Sequence, residues 1–582
     1  MKNTGLILCL FICHCTALCQ NYMRGQVVNK YGQRLPSVKI ITTGNKQIYK
    51  SDQYGNFGFS SPLLQDTLVF SYDGYDTLTV MIKAEEYARV ILKNLPSSII
   101  FTKDNFSVLI RNNESFPGEQ TFKNETYHLT NENNFLTTVQ SPGIAFSANI
   151  NRASYSNVRR LINEMESLLP PYSVRIEEML NYFNFNYTEP GRDSMFHCVS
   201  YLTNCPWNKT NELLFVNISA RKIDMRNIPP NNLIFLIDVS GSMDMPNKLP
   251  LLKSGFIKMI KNLRPIDTVS IVTYGENVSL VLEGISGSNK ETITAAIEKL
   301  NADGPTPGEG GIRLAFKVAQ RRFIQGGNNR IILAADGDFN VGMSTEKELT
   351  GLIEQEKKYG IYLTCLGVGS GNYKDSKLSV LAQKGNGNFA YIDNEQEAER
   401  VLVTDLTKTL FTVADNVYLS INFNPQQVKE YRLLGYDNEN TIMKDTIIQL
   451  KGGEIGSGHS LMAVFELVPV SDTIINKSWM AKLQVHYRLP LQLKQYTTSY
   501  TCLQLAKPLQ EADNNLKKAA SVVMFGIKLK DSEYSKNISW RSLQKLAAGS
   551  FDKDKFLEKE FLQLISKAKK MYTHRRKYSR DD

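Results

Sequence analysis

The stretch Leu233-Ile-Phe-Leu-Ile237, followed by Asp238-Val-Ser-Gly-Ser-Met243, decides how the middle of the chain folds. The five apolar residues read as a buried strand. An aspartate and two serines then leave its carboxyl end on a glycine-containing turn. In an open α/β sheet, ligands bind in the crevice beyond the carboxyl ends of the strands. One carboxylate and two hydroxyls form a hard, oxygen-only donor set, suited to magnesium, calcium or manganese rather than zinc or copper. Asp and Ser are also favoured helix caps, and capping alone would account for this one segment.

Two more segments have the same character. Gly304-Pro-Thr306-Pro-Gly308 is a turn between two helical patterns and offers a hydroxyl at Thr306. Ile331-Ile-Leu-Ala-Ala335 reads as a second buried strand, ending in Asp336-Gly-Asp338. Together these residues resemble the von Willebrand factor A domain, whose metal-ion-dependent adhesion site runs Asp-x-Ser-x-Ser, then a distant Thr, then a distant Asp. The resemblance implies that Asp238, Ser240, Ser242, Thr306 and Asp336 surround a divalent cation, magnesium first, with manganese or calcium also suited. It implies that the serines and the threonine touch the metal directly or nearly so, and that the aspartates act largely through water. The sixth position falls to a carboxylate of a protein partner. Asp244 and Asp338 lie close by and read as solvated loop carboxylates.

Outward from this core, residues 231–412 alternate apolar strand runs with helical patterns. That alternation gives βαβ units and a mainly parallel, doubly wound (Rossmann-like) α/β sheet. Right-handed crossovers put the loops after the strands on one rim, where Asp238, Thr306 and Asp336 would meet.

The flanks differ. Residues 23–93 show short strand runs, such as Thr67-Leu-Val-Phe70, separated by turn signals, such as Asp52-Gln-Tyr-Gly55. They read as a small β-sandwich, and Ser51-Asp-Gln-Tyr-Gly-Asn-Phe57 resembles the carboxypeptidase-regulatory-like domain. Residues 94–140, rich in Asn, Ser and Thr, read as a linker. Residues 141–230 carry helical patterns at Ser154–Leu168 and Val174–Phe185 and then strand-like sequence. Residues 413–582 return to strand runs and end in helices. The blocks Arg175-Ile-Glu-Glu-Met-Leu-Asn-Tyr-Phe183, Cys205-Pro-Trp-Asn208 and Gly453-Glu-Ile-Gly-Ser-Gly-His459 resemble those flanking the A domain in a family of exported bacterial proteins. Asn149-Ile-Asn151 departs from that family, which has aspartates there. Strands on either side of the A domain, Phe196–Ala220 and Val417–Tyr487, are expected to pair into one β-sandwich with the A domain inserted between them. The fold class is thus multidomain: an N-terminal β-sandwich, a central A domain, and β-rich and helical flanks.

The chain has 582 residues, 42% hydrophobic and 22% charged, which excludes a disordered class. The net charge of +10 is scattered, so no nucleic-acid partner is expected. The dense run from Lys567 to Arg580 reads as a solvated, frayed end. Residues 1–19 read as a secretory signal, with Lys2, the apolar run Leu6 to Leu18 and Ala17-Leu-Cys19 before Gln20. Export to the periplasm, the outer membrane or the cell surface follows from that reading, and Cys19 offers an alternative of lipidation and membrane attachment. Cys198 and Cys205 would form a disulfide if the chain reverses between them; two separate buried thiols fit equally well.

No catalytic signature stands out. There is no His-Glu-x-x-His, no phosphate-binding loop, no Gly-x-Ser-x-Gly elbow and no Cys-x-x-Cys. His459, in a glycine-rich turn, is the histidine worth testing, and His486 reads as a packed strand residue. Three functions compete. The first is an exported, adhesion-type binding module whose cation captures an acidic side chain of a protein partner. The second is an envelope scaffold or assembly protein with a structural metal. The third is a metal-assisted hydrolase, for which no base can be identified.

Overall fold

The computed structural model describes residues 21–578 except 30–33, 45, 73–74, 85, 94–118, 123–124, 129–130, 149–150, 165–167, 186, 224–227, 305–307, 337–345, 371–374, 406–410, 438–439, 443–451, 472–478, 491 and 504–506. The signal-like residues 1–19, Thr306 and Asp338 therefore lie outside the described residues. The chain divides into two compact units, Met1–Leu109 and Ile110–Asp582.

In the first unit, two sheets share one core. Asn21–Asn29 is flanked by Asn56–Ser61 and Tyr87–Leu92, and the second sheet runs Ile48–Lys50, Lys39–Thr42, Gln65–Ser71, Leu78–Lys83. Alternation sends Val27, Phe57, Phe59 and Val90 of one sheet and Ile40, Leu68, Phe70 and Ile82 of the other into the same cluster. The sandwich read from the sequence is present, with Ile48–Lys50 and Tyr87–Leu92 as further strands.

The second unit has three parts. Its α/β part is a six-stranded sheet ordered Ser279–Ser286, Thr268–Tyr274, Asn231–Asp238, Asn328–Ala335, Ile361–Val368, Phe389–Ile392. All pairings are parallel except the outermost, Thr268–Tyr274 with Ser279–Ser286. Strand Asn231–Asp238 is buried along its whole length. Its Leu233, Phe235 and Ile237 face helices Leu249–Ile260 and Lys290–Glu298. Ile234 and Leu236 face helices Gly308–Arg321 and Asp375–Lys384. Burial on both faces is why these strands read as unbroken apolar runs.

The second part is the expected sandwich. Glu212–Ala220 pairs with Ser460–Pro469 through eight registered residues, from Glu212↔Leu467 to Ser219↔Ser460. Strand Thr412–Phe423 of the facing sheet pairs with Trp479–Arg488 and with Gly143–Ser147. One apolar cluster, including Phe146, Leu214, Val216, Leu419, Phe465 and Leu483, joins the two sheets. The third part is helical. Ala153–Glu164 and Ile176–Tyr182, from before the A domain, pack with Asn514–Lys530, Trp540–Ala548 and Phe556–Tyr578, from after it.

Two expectations change, and one open alternative is settled. Residues 119–140 do not form a linker. Glu119–Phe122 and Glu125–His128 form a hairpin, Leu136–Thr137 joins the sandwich beside Val428–Leu433, and Tyr127 is fully buried against the A domain. The segment's Asn and Thr content hid these short strands. The basic run from Lys567 is not frayed up to Tyr578: Phe561, Leu564, Ile565, Ala568 and Tyr572, at helical spacing, lock the last helix into the core. Lys567 and Lys570 are exposed on its outer face, with Lys567 Nζ donating to Asn163. Finally, Cys198 and Cys205 are free thiols. Cys198 lies in the extended strand Phe196–Asn204 and Cys205 follows its end, a separation of roughly 20 Å, well beyond what a disulfide spans.

Candidate metal centre

Counted along this sheet from its first strand, the strand order is 3-2-1-4-5-6. The order reverses between Asn231–Asp238 and Asn328–Ala335, and that switch point opens a crevice at the carboxyl ends of the two strands. Ile237 pairs with Ala334, so Asp238 and Asp336 emerge side by side at the mouth of the crevice. Both carboxylates are buried.

The loop after Asp238 curls back on itself. The Ser240 amide donates to Asp238 Oδ1 at 2.8 Å. The Ser240 and Ser242 hydroxyls lie 3.1 Å apart, and Ser242 Oγ donates to Asp336 Oδ2 at 2.8 Å. Four of the five sequence-derived residues thus come together. Thr306 lies outside the described residues, but Gly304, two positions earlier, accepts from the Gly241 amide at 2.9 Å. Gly304 has φ +74°, and a Cβ there would sit 2.4 Å from Glu276 Cβ, so the close approach of these loops requires glycine. Asp244 is exposed on the rim.

Asp238 is under electrostatic tension. Its Oδ2 is buried without a hydrogen bond of normal geometry. Burial pushes its carboxyl up to about 6, with the Asp336 charge adding to the push and the Ser240 amide and hydroxyl and the Tyr274 hydroxyl opposing it. A buried acceptor of this kind gains from a cation.

The donor set fits a hard ion. The Ser240 and Ser242 hydroxyls and the Asp336 carboxylate lie within hydrogen-bonding reach of one another, at 3.1 and 2.8 Å, and an all-oxygen set of this kind suits magnesium, calcium or manganese. Among the described residues, no group of three or more His, Cys, Asp or Glu side chains is arranged to hold a metal. Two carboxylates and two hydroxyls are the donor chemistry that suits magnesium-type ions rather than zinc.

One residue escaped the sequence reading. Lys248, in the turn before helix Leu249–Ile260, reaches back into the crevice. Its Nζ donates to Asp336 Oδ2 at 2.9 Å and to the Ser242 carbonyl at 3.0 Å. Its stem lies over Gly369, φ +81°, where a Cβ would come within 2.4 Å of Lys248 Cε. A lone lysine beyond the motif gives no sequence signal for this.

The two histidines are accounted for by packing. His459 Nδ1 accepts from the Gly456 amide at 3.2 Å and closes its turn. His486 stacks on Tyr418 at 4.5 Å and bonds Ser420 and Thr497.

An open doubly wound sheet with Asp-x-Ser-x-Ser after its first strand and an aspartate after its fourth defines a von Willebrand factor type A domain protein. A family model described as von Willebrand factor type A domain matches residues 233–338, and one described as von Willebrand factor matches residues 121–215. A third, described as "Uncharacterized protein YfbK, C-terminal", matches residues 408–571. The chain is 34% identical to the protein YfbK of Escherichia coli (strain K12) over 467 residues, covering 76% of this chain and 80% of that protein. It belongs to the YfbK family. It is also 26% identical over 216 residues to the protein sll0103 of Synechocystis sp., covering 37% of this chain and 50% of that one. Among solved structures, it is similar to a von Willebrand factor type A protein from Catenulispora acidiphila, with 14% identity, a TM-score of 0.39, and coverage of 63% of this chain and 88% of that one. Von Willebrand A domains commonly mediate protein–protein interaction.

Proposed function

We propose that this protein is an exported, adhesion-type binding module. A divalent cation, magnesium first, is held by Asp238, Ser240, Ser242, Thr306 and Asp336 and captures an acidic side chain of a protein partner. The observation that carries this reading is that the Ser240 and Ser242 hydroxyls and the Asp336 carboxylate meet in one crevice with the buried, desolvated Asp238 carboxylate. Bound there, the cation supplies a Lewis-acidic anchor for a carboxylate. Ser242 and Asp244 are exposed, so the anchor faces solvent.

The scaffold reading, with a metal that orders the rim, draws less support. Lys248 already ties Asp336 to the Ser242 carbonyl, so the loops have an ordering contact without a metal. Export rests on the signal-like first 19 residues, and attachment to a membrane on lipidation at Cys19.

Calorimetric titration of magnesium and manganese into the full chain, wild type beside Asp238→Ala, tests the site. Saturable binding in the wild type that disappears in the variant supports it, and no binding in the wild type overturns it. Mass spectrometry of the secreted protein, showing cleavage or an acyl group at Cys19, tests the export reading.

A further inference from the structure

We infer that Lys248 is an internal counter-cation that weakens metal binding and in exchange leaves the loaded set of Asp238, Asp336, Lys248 and cation with a net positive charge for capturing a carboxylate. The inference rests on the metal reading above. Lys248 is buried and its ammonium shares Asp336 Oδ2 with Ser242 Oγ. That oxygen belongs to the same donor set a cation would use. An incoming divalent ion therefore meets a like charge within one ligand's width, and the ammonium must give up part of its contact or repel the ion.

The charge balance explains why a binding module would keep such a residue. Asp238 and Asp336 with Lys248 sum to minus one. A divalent ion takes the set to plus one, which attracts an anion. With a neutral residue at Lys248, the loaded set is uncharged, and the partner's carboxylate loses its long-range attraction. Lys248 also gives the buried Asp336 a counter-charge when no metal is bound. Gly369 completes the device: a side chain there would collide with the lysine stem.

The test uses the full chain with three readouts. Calorimetry measures manganese affinity, glutarate titrated into the manganese-saturated protein measures carboxylate capture, and thermal unfolding in chelator measures metal-free stability. In Lys248→Met, manganese affinity should rise by about tenfold, glutarate affinity should fall by about tenfold, and the metal-free melting temperature should drop. Lys248→Arg should return all three toward wild type. A purely structural lysine would lower stability without tightening metal. Unchanged or weaker manganese binding, or unchanged glutarate binding, in a folded Lys248→Met protein overturns the inference, and Lys248→Gln provides the same comparison if the methionine variant does not fold. Absence of manganese binding to the wild type instead overturns the metal reading beneath it.

Discussion

Arg330 and Glu454 form a buried ion pair between the A domain and the sandwich. Arg330 Nη2 donates to Glu454 Oε1 at 2.8 Å, and neither side chain is more than 3% exposed. Arg330 Nη1 donates to Thr364 Oγ1 at 2.8 Å on the neighbouring strand, and the guanidinium lies over the Tyr362 ring. The central strand of the A domain is thus clamped to Gly453–Gly456 of the sandwich. Further pairs tie the helical part to the domain: Arg175 with Asp375 at 2.7 Å, and Arg159 with Glu397 at 2.9 Å, while Arg159 also pairs within the helical part with Glu560 at 3.0 Å.

Removing one member of the Arg330–Glu454 pair leaves the other charged and buried. Glu454→Leu should cost about 3–5 kcal/mol in denaturant unfolding. The double variant Arg330→Met/Glu454→Leu should regain most of that loss, because an apolar pair of similar volume replaces both charges. A double variant no more stable than the worse single one would show that shape, rather than charge, holds the junction.

Asp238 should separate function from stability. With Oδ2 buried and lacking a normal hydrogen bond, Asp238→Asn relieves a desolvated charge. Metal-free protein should become more stable by about 1 kcal/mol or more, while magnesium and manganese titrations lose their heat. A variant that loses both stability and metal binding would mean Asp238 chiefly holds the loop together.

Glu177 should make the protein more stable in mild acid. Burial, aided by the charges of Asp437 and Glu178, pushes its carboxyl up to about 7 from an ordinary 4.5, against the pull of the Tyr436 amide. The folded state therefore binds this proton more tightly than the unfolded one. Its contribution is fully present below about pH 4.5 and is lost as pH rises through about 7, with a span on the order of 3 kcal/mol. Glu177→Gln, which keeps an acceptor for the Tyr436 amide, should flatten that slope in urea unfolding between pH 5 and pH 8. An unaltered slope would assign it to other groups.

The N-terminal sandwich should fold alone. Its core draws only on residues between Met23 and Leu92. Residues 21–93 expressed by themselves should give a β-type circular dichroism spectrum and a single cooperative melt. A featureless melt would mean that its core is insufficient without the remaining chain.

Much of this architecture was legible because burial on both faces leaves long apolar runs, as at Leu233–Ile237 and Ile361–Val368. The insertion of the A domain was legible because strand-rich sequence stops before it and resumes after it. Features that escaped were short or polar. Gly143–Ser147 is five residues of fully buried interior strand with no alternation to reveal it. Strand Asn328–Ala335 begins with two asparagines and an arginine that look like loop, because their partners, Asn231, Thr364 and Glu454, come from elsewhere in the sequence. In the candidate centre, the meeting of Asp238, Ser240, Ser242 and Asp336 was legible through the resemblance to the A-domain motif, while Thr306 lies outside the described residues. Lys248 was not, since only the turn before Leu249 brings it back to Asp336.

The pairing of Glu212–Ala220 with Ser460–Pro469 also sets an order of biosynthesis. A ribosome completes the first half of the sandwich, then makes the whole A domain, and only afterwards supplies the strands that close the sheet. The six strands of the A domain, all within 231–392, find one another without waiting. The earlier strands must meanwhile keep open hydrogen-bonding edges, which are templates for association with other chains. A message truncated just beyond the A domain would therefore yield a folded α/β unit attached to a sticky, half-built sheet. The vulnerable stage of synthesis is set by the open edge of Glu212–Ala220, which waits for Ser460–Pro469.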